Sequence, residues 1–413
     1  MRGRPISDPS LVSDLRPGSG WLVVVAATCV TFLFGIFFSF GVFLDPLISE
    51  FGWSSALTSF VFSVYSLSYS LSAILLGRLT DRYGARSTIG LGGIAVTLAL
   101  VLSSRVDAIW QLYLTFGVVG GIGAAAFWVP PTKAVMEHFE TSANLNMAVS
   151  TVATGTGAGT LLISPLAGLF ITEYGWRTCY LLFGLISALI SAFAVLVIRS
   201  PRGGSRTGPG REQNLPGQRL PEAVKTRNFW SLFSIYILGC GIARYTILIY
   251  LVAYLVAAGL PFQAGTISLG LVGGGSILGR MGSGLLSRVL RENLIVLVSF
   301  VLQGVSTFAL LLSGNVWLVY SSAFIFGIGY GGYVPQFPLL TRESFGMKSY
   351  GLVYGGISSG LGFGALIGPP VLGGILSSST GNYFATFVIS GILSLVAALM
   401  ALFIGQRTKE GIA

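Results

Sequence analysis

Charge is what this sequence has least of. Only 9% of its 413 residues are Asp, Glu, Lys or Arg, against roughly a quarter in soluble domains. The 53% hydrophobic content that stands in their place describes a polytopic membrane protein and excludes an ordinary soluble domain. Histidine is reduced to His138 alone, and no acid pair falls inside an apolar segment, which leaves little equipment for an enzyme. No metal and no cofactor is expected. Cysteine is nearly absent too. Cys29, Cys179 and Cys240 all sit in apolar segments without metal-ligand spacing and read as small packing residues. The stretch before residue 21 is polar, so no cleavable signal peptide is expected there.

What is present is a succession of apolar runs about 20 residues long, the length that crosses a bilayer as a helix. They lie at 21–44, 56–76, 87–103, 109–135, 145–171 and 179–198, then at 229–255, 265–286, 294–312, 316–340, 351–376 and 384–404. Between the two sets of six runs a stretch rich in Pro, Gly and Arg that reads as a solvated linker. The expected organisation is a cytoplasmic N-terminus (1–20), a six-helix bundle (21–198), a cytoplasmic linker (199–228), a second six-helix bundle (229–404) and a cytoplasmic tail (405–413).

The formal charge of +10 is distributed between spans rather than gathered in one domain, which points away from nucleic acid. With the N-terminus inside, the inner segments hold Arg78, Arg82, Arg86, seven basic residues of the linker, Arg288, Arg291, Arg342 and others. The outer loops hold only Arg105 and Arg177. This asymmetry predicts a multi-pass protein of the cell membrane with both termini cytoplasmic. The halves also repeat: Gly155, Gly157, Gly159, Pro165 and Gly168 in the fifth span match Gly360, Gly362, Gly364, Pro370 and Gly373 in the eleventh at identical spacing. Paired Gly/Pro-interrupted spans are a sign of a transporter with its site between repeats.

Arg280 is the single charge between Phe262 and Ser287. A charge within a span is costly and normally faces a cavity, a partner or a ligand; its planar fork suits a carboxylate. Gly273, Gly274, Gly275 and Gly279 leave room beside it, and Ser276 one turn earlier shares its face and can add a hydrogen bond. The alternative is that Arg280 snorkels to the interface. Arg244, near the centre of the seventh span, is either a second substrate cation or a structural charge held by backbone carbonyls. Lys133, Glu137 and His138 form either a proton relay or an interfacial salt-bridge cluster. Tyr330, Tyr333 and Tyr65 offer hydroxyls and apolar faces for a short acid. The first half is expected to supply shape and hydrophobic wall.

After the second span the chain reads GRLTDRYGAR, Gly77 to Arg86, the G-x-x-x-D-R-x-G-x-R pattern. It resembles the signature loop of the major facilitator superfamily, and implies that fold: an all-α membrane protein of twelve transmembrane helices in two six-helix bundles with inverted repeats. By that resemblance Asp81, Arg82 and Arg86 belong to a cytoplasmic gate, with Gly77 and Gly84 allowing tight turns. The second half has Ser287 before Arg288 and lacks the aspartate. FGVFLDPLISEFGWS, LNMAVSTVATGTGAG, SPLAG and EYGWR are similar to the monocarboxylate transporter and oxalate/formate antiporter branch. There an arginine on the eighth span is implicated in holding the substrate carboxylate, and Arg280 matches it. The aspartate one turn earlier in those relatives is Ser276 here, the first span carries no lysine, and the eleventh lacks the lysine of oxalate exchangers. That last absence argues against a dianion as main substrate.

The resemblance implies a monomeric carrier of small monocarboxylates such as lactate or pyruvate, working by alternating access with proton symport. An organic-anion exchanger or uniporter on the same fold is the alternative. With no acid deep in a span, the proton travels either with water and the substrate acid or through Lys133, Glu137 and His138.

Overall fold

A computed structural model describes residues 19–139, 145–198, 217–287, 289–312, 314–346, 350–376 and 383–404, and these are helices and their connections. In a bilayer every backbone N–H and C=O needs an internal partner, which the helix supplies within one segment. The helices are α1 (Gly20–Phe51), α2 (Ser55–Ser103), α3 (Ile109–Met136) and α4 (Leu145–Val197) in the first half. In the second they are α5 (Arg227–Ala257), α6 (Phe262–Leu286), α7 (Glu292–Leu310), α8 (Val316–Tyr333), α9 (Gln336–Phe345), α10 (Leu352–Gly373) and α11 (Phe384–Ala401). Side-chain oxygens of Ser54, Thr226 and Asn315 accept from the backbone N–H groups of Leu57, Phe229 and Trp317, starting α2, α5 and α8.

Among the described residues, eight helices are long and apolar enough to cross a membrane. Large apolar side chains also point outward, Leu75, Leu189 and Leu196 each being more than 60% exposed, which in water would be an aggregation surface and in lipid is the solvated face. The 25-residue α6 is not one of the eight, because its glycines, serines and arginine dilute its hydropathy.

The long helices α2 and α4 each turn sharply at one glycine, Gly84 (φ 82°) and Gly175 (φ 78°), a left-handed conformation that only glycine adopts cheaply. Gly84 thus makes the turn expected of the signature loop. Gly77 does not: it is helical, with open space beside it. The side chains of Asp81 and Arg82 lie outside the described residues, and Arg86 is exposed.

Two boundaries differ from the sequence reading. Helix α1 continues past residue 44 through Pro46 to Phe51, which places Asp45 inside it. The linker is not wholly solvated either. Ala223 is fully buried, Gln218 N donates to Phe345 O at 2.8 Å, and Glu222 Oε2 accepts from Arg219 N at 2.9 Å. Its first part, 199–216, lies outside the described residues.

The repeated glycines take equivalent places. A Cβ on Gly159 would meet Phe32 and Gly35 of α1, and one on its counterpart Gly364 would meet Ile237 and Gly241 of α5. Toward the other half, Gly157 faces Ser276 and Ile277 of α6, as Gly362 faces Ser70 and Leu67 of α2. Glycine here removes the side-chain layer so that helix backbones touch. Contact is equally close between α6 and α8, where Gly275, Gly279, Gly327 and Gly331 each abut backbone of the facing helix.

The halves are also tied by hydrogen bonds toward the face away from the chain termini. Tyr250 Oη donates to Ser55 O at 3.1 Å, Gln263 Nε2 to Thr172 Oγ1 at 3.2 Å, and Ser63 Oγ to Ala365 O at 2.5 Å. Gly41 of α1 approaches Leu248 and Ile249 of α5 on the same side.

Candidate functional site

Between the halves, level with the middle of the helices, lies a cavity of about 520 Å³ including the open space at its mouth. The first half contributes Phe34, Phe38, Tyr65, Tyr69, Trp128 and Thr156 to its lining. The second contributes Arg244, Tyr245, Arg280, Tyr330, Val334 and Leu361. One wall is therefore aromatic and uncharged, the other cationic. The rings of the aromatic wall brace one another: Phe37 stacks on Tyr65 at 4.4 Å between centroids, while Phe34 meets Tyr69 and Trp128 edge-on at 5.8 and 6.4 Å.

Arg280 does not snorkel; its residue is 4% exposed and its guanidinium turns into the cavity. Nη1 donates to Ser276 Oγ at 2.8 Å, and Nη2 to Tyr330 Oη at 3.1 Å. Ser276 Oγ donates in turn to Gly273 O at 2.7 Å, so its lone pair faces the arginine. These two neutral hydroxyls fix the fork without cancelling its charge. Nε has no hydrogen-bond partner.

Arg244 lines the same cavity. It closes a π-helical stretch, Tyr236–Arg244, a local widening of the helix common at functional positions. The residue is 5% exposed, its Nε is also unpartnered, and its guanidinium carbon stands 4.3 Å from the Tyr245 ring centroid and 4.9 Å from that of Tyr330. Its contacts among the described residues are ring faces, with no backbone carbonyl among them. Arg280 lies 5.1 Å from the Tyr330 centroid, so one tyrosine touches both cations. Among the described residues neither arginine has an ion pair.

The other expected residues separate. Tyr65 lines the cavity although its ring is almost fully packed. Tyr333 is fully buried away from it, with its hydroxyl donating to Gln303 Oε1 at 3.2 Å and its ring stacked on Phe300 at 4.2 Å. Lys133 and His138 are not part of the lining. His138 Nδ1 lies 2.8 Å from Ala134 O, so it carries the hydrogen that a carbonyl accepts. The side chain of Glu137 lies outside the described residues. The aromatic wall of Phe34, Phe38, Tyr69 and Trp128 was not singled out by sequence; its only signal was a first span rich in phenylalanine. The buried Cys179 and Cys240 are free thiols, as is the half-buried Cys29.

Two motifs that lie far apart in sequence meet on the face away from the termini. Glu50 accepts from Trp176 Nε1 at 2.5 Å and pairs with Arg177, whose guanidinium covers the Trp176 ring at 4.3 Å. Phe51 stacks on Trp53 at 4.2 Å and meets Trp176 edge-on.

A helical membrane protein with an anion-seeking cavity between two repeated halves has the form of a secondary carrier. A sequence profile of the Major Facilitator Superfamily matches residues 25–346 and again 283–412, and the chain belongs to that family. It is a multi-pass membrane transporter and not an enzyme. Within the family it is similar to monocarboxylate transporter 11 of Homo sapiens, 26% identical over 396 residues that cover 92% of this chain and 81% of the relative. Monocarboxylate transporter 12 of Xenopus laevis is 25% identical over 411 residues, 93% of this chain and 88% of that one. The MFS transporter asaE of Aspergillus flavus is 26% identical over 393 residues, 92% and 86% of the two chains.

Proposed function

We propose that the protein is a twelve-span carrier of small monocarboxylates, of lactate or pyruvate size, that works by alternating access between bundles 21–198 and 229–404. The observation that carries this reading is Arg280, buried, charged and held, among the described residues, by the hydroxyls of Ser276 and Tyr330 alone. A bare buried cation is costly, and a bound carboxylate offsets that cost. Loading therefore favours occlusion, which couples movement to occupancy. The relatives named monocarboxylate transporters support the substrate class.

Both termini and the linker lie in the cytoplasm of the cell membrane in this reading, following the basic loops. The cross-half hydrogen bonds of Ser55, Ser63 and Gln263 then seal the outer side, and the cavity belongs to an inward-facing state. The carrier acts as a monomer. Proton symport proceeds with the substrate acid and water, or through Lys133, Glu137 and His138. Asp81, Arg82 and Arg86 act in the cytoplasmic gate.

One observation favours exchange or uniport instead: among the described residues no acid lines the cavity, Ser276 occupying the turn before Arg280. Uptake into proteoliposomes after a pH jump decides between them. Acid-outside stimulation of labelled lactate entry without internal counter-substrate supports symport. Entry that requires an internal anion, whatever the pH, supports exchange, and no entry of lactate or pyruvate under either condition overturns the monocarboxylate reading.

A further inference from the structure

We propose that Arg244 is a second anion-binding group of the cavity, and that the site accepts small dicarboxylates by holding one carboxylate on Arg280 and the other on Arg244. This inference rests on the reading of Arg280 as a carboxylate anchor and extends it to the substrate's far end.

The two arginines are in unequal states. Arg280 donates one hydrogen from each terminal nitrogen, to the hydroxyls of Ser276 and Tyr330. Among the described residues no hydrogen-bond partner is seen for Arg244, whose Nε is buried and unpartnered, although its residue is only 5% exposed and belongs to the cavity lining. Its contacts with Tyr245 and Tyr330 place aromatic rings against the cation. Rings attract the charge but offer no acceptor to the N–H groups. A buried guanidinium normally has a carboxylate or carbonyls for those donors, and here none is in place.

Spacing fits a ligand that reaches both. The guanidinium carbons stand 4.9 and 5.1 Å from the same ring centroid, so they are no more than 10 Å apart. A carboxylate in a forked pair keeps its carbon about 4 Å from the guanidinium carbon. Along the line between the guanidinium carbons that leaves at most about 2 Å between two such carboxylate carbons, so malonate or succinate, with carboxylate carbons about 2.5–4 Å apart, reaches both arginines by lying across that line. Charge agrees with length: two cations and no lining acid leave one positive charge uncompensated by a monoanion and none by a dianion. The eleventh-span lysine of oxalate exchangers is missing from this chain, and Arg244 supplies the second cation from α5 instead.

The test is titration calorimetry of the purified full-length protein with propanoate, malonate and succinate. In the unaltered protein, malonate or succinate is expected to bind about tenfold or more tighter than propanoate, the margin of one added charge-assisted contact. Arg244→Gln is expected to abolish that margin, weakening malonate or succinate about tenfold more than it weakens propanoate. Arg280→Gln weakens all three. Dicarboxylates that bind no tighter than propanoate to the unaltered protein overturn the proposal without any variant being needed. An Arg244→Gln protein that loses propanoate as steeply as succinate also overturns it, since one carboxylate would then be shared by both arginines. If Arg244→Gln does not fold, Arg244→Lys replaces it and must keep part of the dicarboxylate margin. Unchanged binding of propanoate and succinate by Arg280→Gln overturns the anchor reading, and this proposal with it.

Discussion

Replacing Arg280 by methionine separates the energy of binding from the energy of folding. In the ligand-free protein the guanidinium is 4% exposed, bonded only to two hydroxyls, and without an ion pair among the described residues. Removing an uncompensated buried charge in favour of an apolar side chain of similar length is often neutral or stabilising, by about 1–4 kcal/mol. Stability of the empty carrier is therefore expected to hold or rise. Binding moves the other way. A carboxylate docked on the fork makes two charge-assisted hydrogen bonds of about 1.5–3 kcal/mol each, so their loss costs about 3–6 kcal/mol, or roughly 10²- to 10⁴-fold in affinity. Arg280→Lys keeps the charge but not the fork, and is expected to lose about one bond, roughly 10- to 100-fold. Thermal unfolding in detergent with and without lactate or pyruvate reads both quantities, because a ligand at 100 times its Kd stabilises by about 2.7 kcal/mol. A methionine variant that melts well below the unaltered protein yet keeps its full ligand shift would show Arg280 to be a structural strut, and would refute the reasoning.

Three further outcomes follow from contacts elsewhere. Ser276→Asp places a carboxylate where Oγ now lies 2.8 Å from Arg280 Nη1, so the ionised acid competes with substrate and uptake at neutral pH should fall about tenfold or more; uptake unchanged from the unaltered protein would contradict this. Gly157→Val drives a Cβ to 2.6 Å from Ser276 Oγ and 2.8 Å from Ile277 Cγ1 at the crossing between halves. Overpacking of about 1–3 kcal/mol should cut uptake about tenfold or more, and near-normal uptake counts against a tight crossing. Glu50→Gln breaks a pair whose side chains are 39–40% exposed, so screening holds the loss to about 1 kcal/mol and the melting temperature should fall by no more than about 2 °C. A drop of 5 °C or more would mean that the Trp176 contact is the stronger part.

Legibility in the sequence followed the physics of each residue. Arg280 could be read because a lone charge in an apolar run has few reasons to exist, and Ser276 because four residues bring two side chains onto one helix face. The paired glycines were legible as a spacing, though not which face met which helix. Tyr330 and Tyr333 show where pattern stops: three residues apart on α8, one faces the cavity, while Gln303 and Phe300 of another helix claim the other. Nothing local to Tyr333 announces that partner. Arg244 was ambiguous for a similar reason, since its direction depends on a π-helical turn that no residue pattern marks. The union of Glu50 with Trp176 and Arg177 joins segments 126 residues apart or more, and only the packed helices reveal it.

The glycines that press α6 against α8 have a consequence for how such a carrier can diversify. Ser276, Arg280 and Tyr330 ride on two backbones with no side-chain layer between them at Gly275, Gly279, Gly327 and Gly331, and any larger residue there would collide with main chain. The anchor is thus closed to gradual change. Phe34, Phe38, Tyr69 and Trp128 on the facing wall lie outside that seam, so a change among them leaves the α6–α8 contact in place. A lineage built on this scaffold would vary its cargo through the aromatic wall while inheriting the grip unchanged.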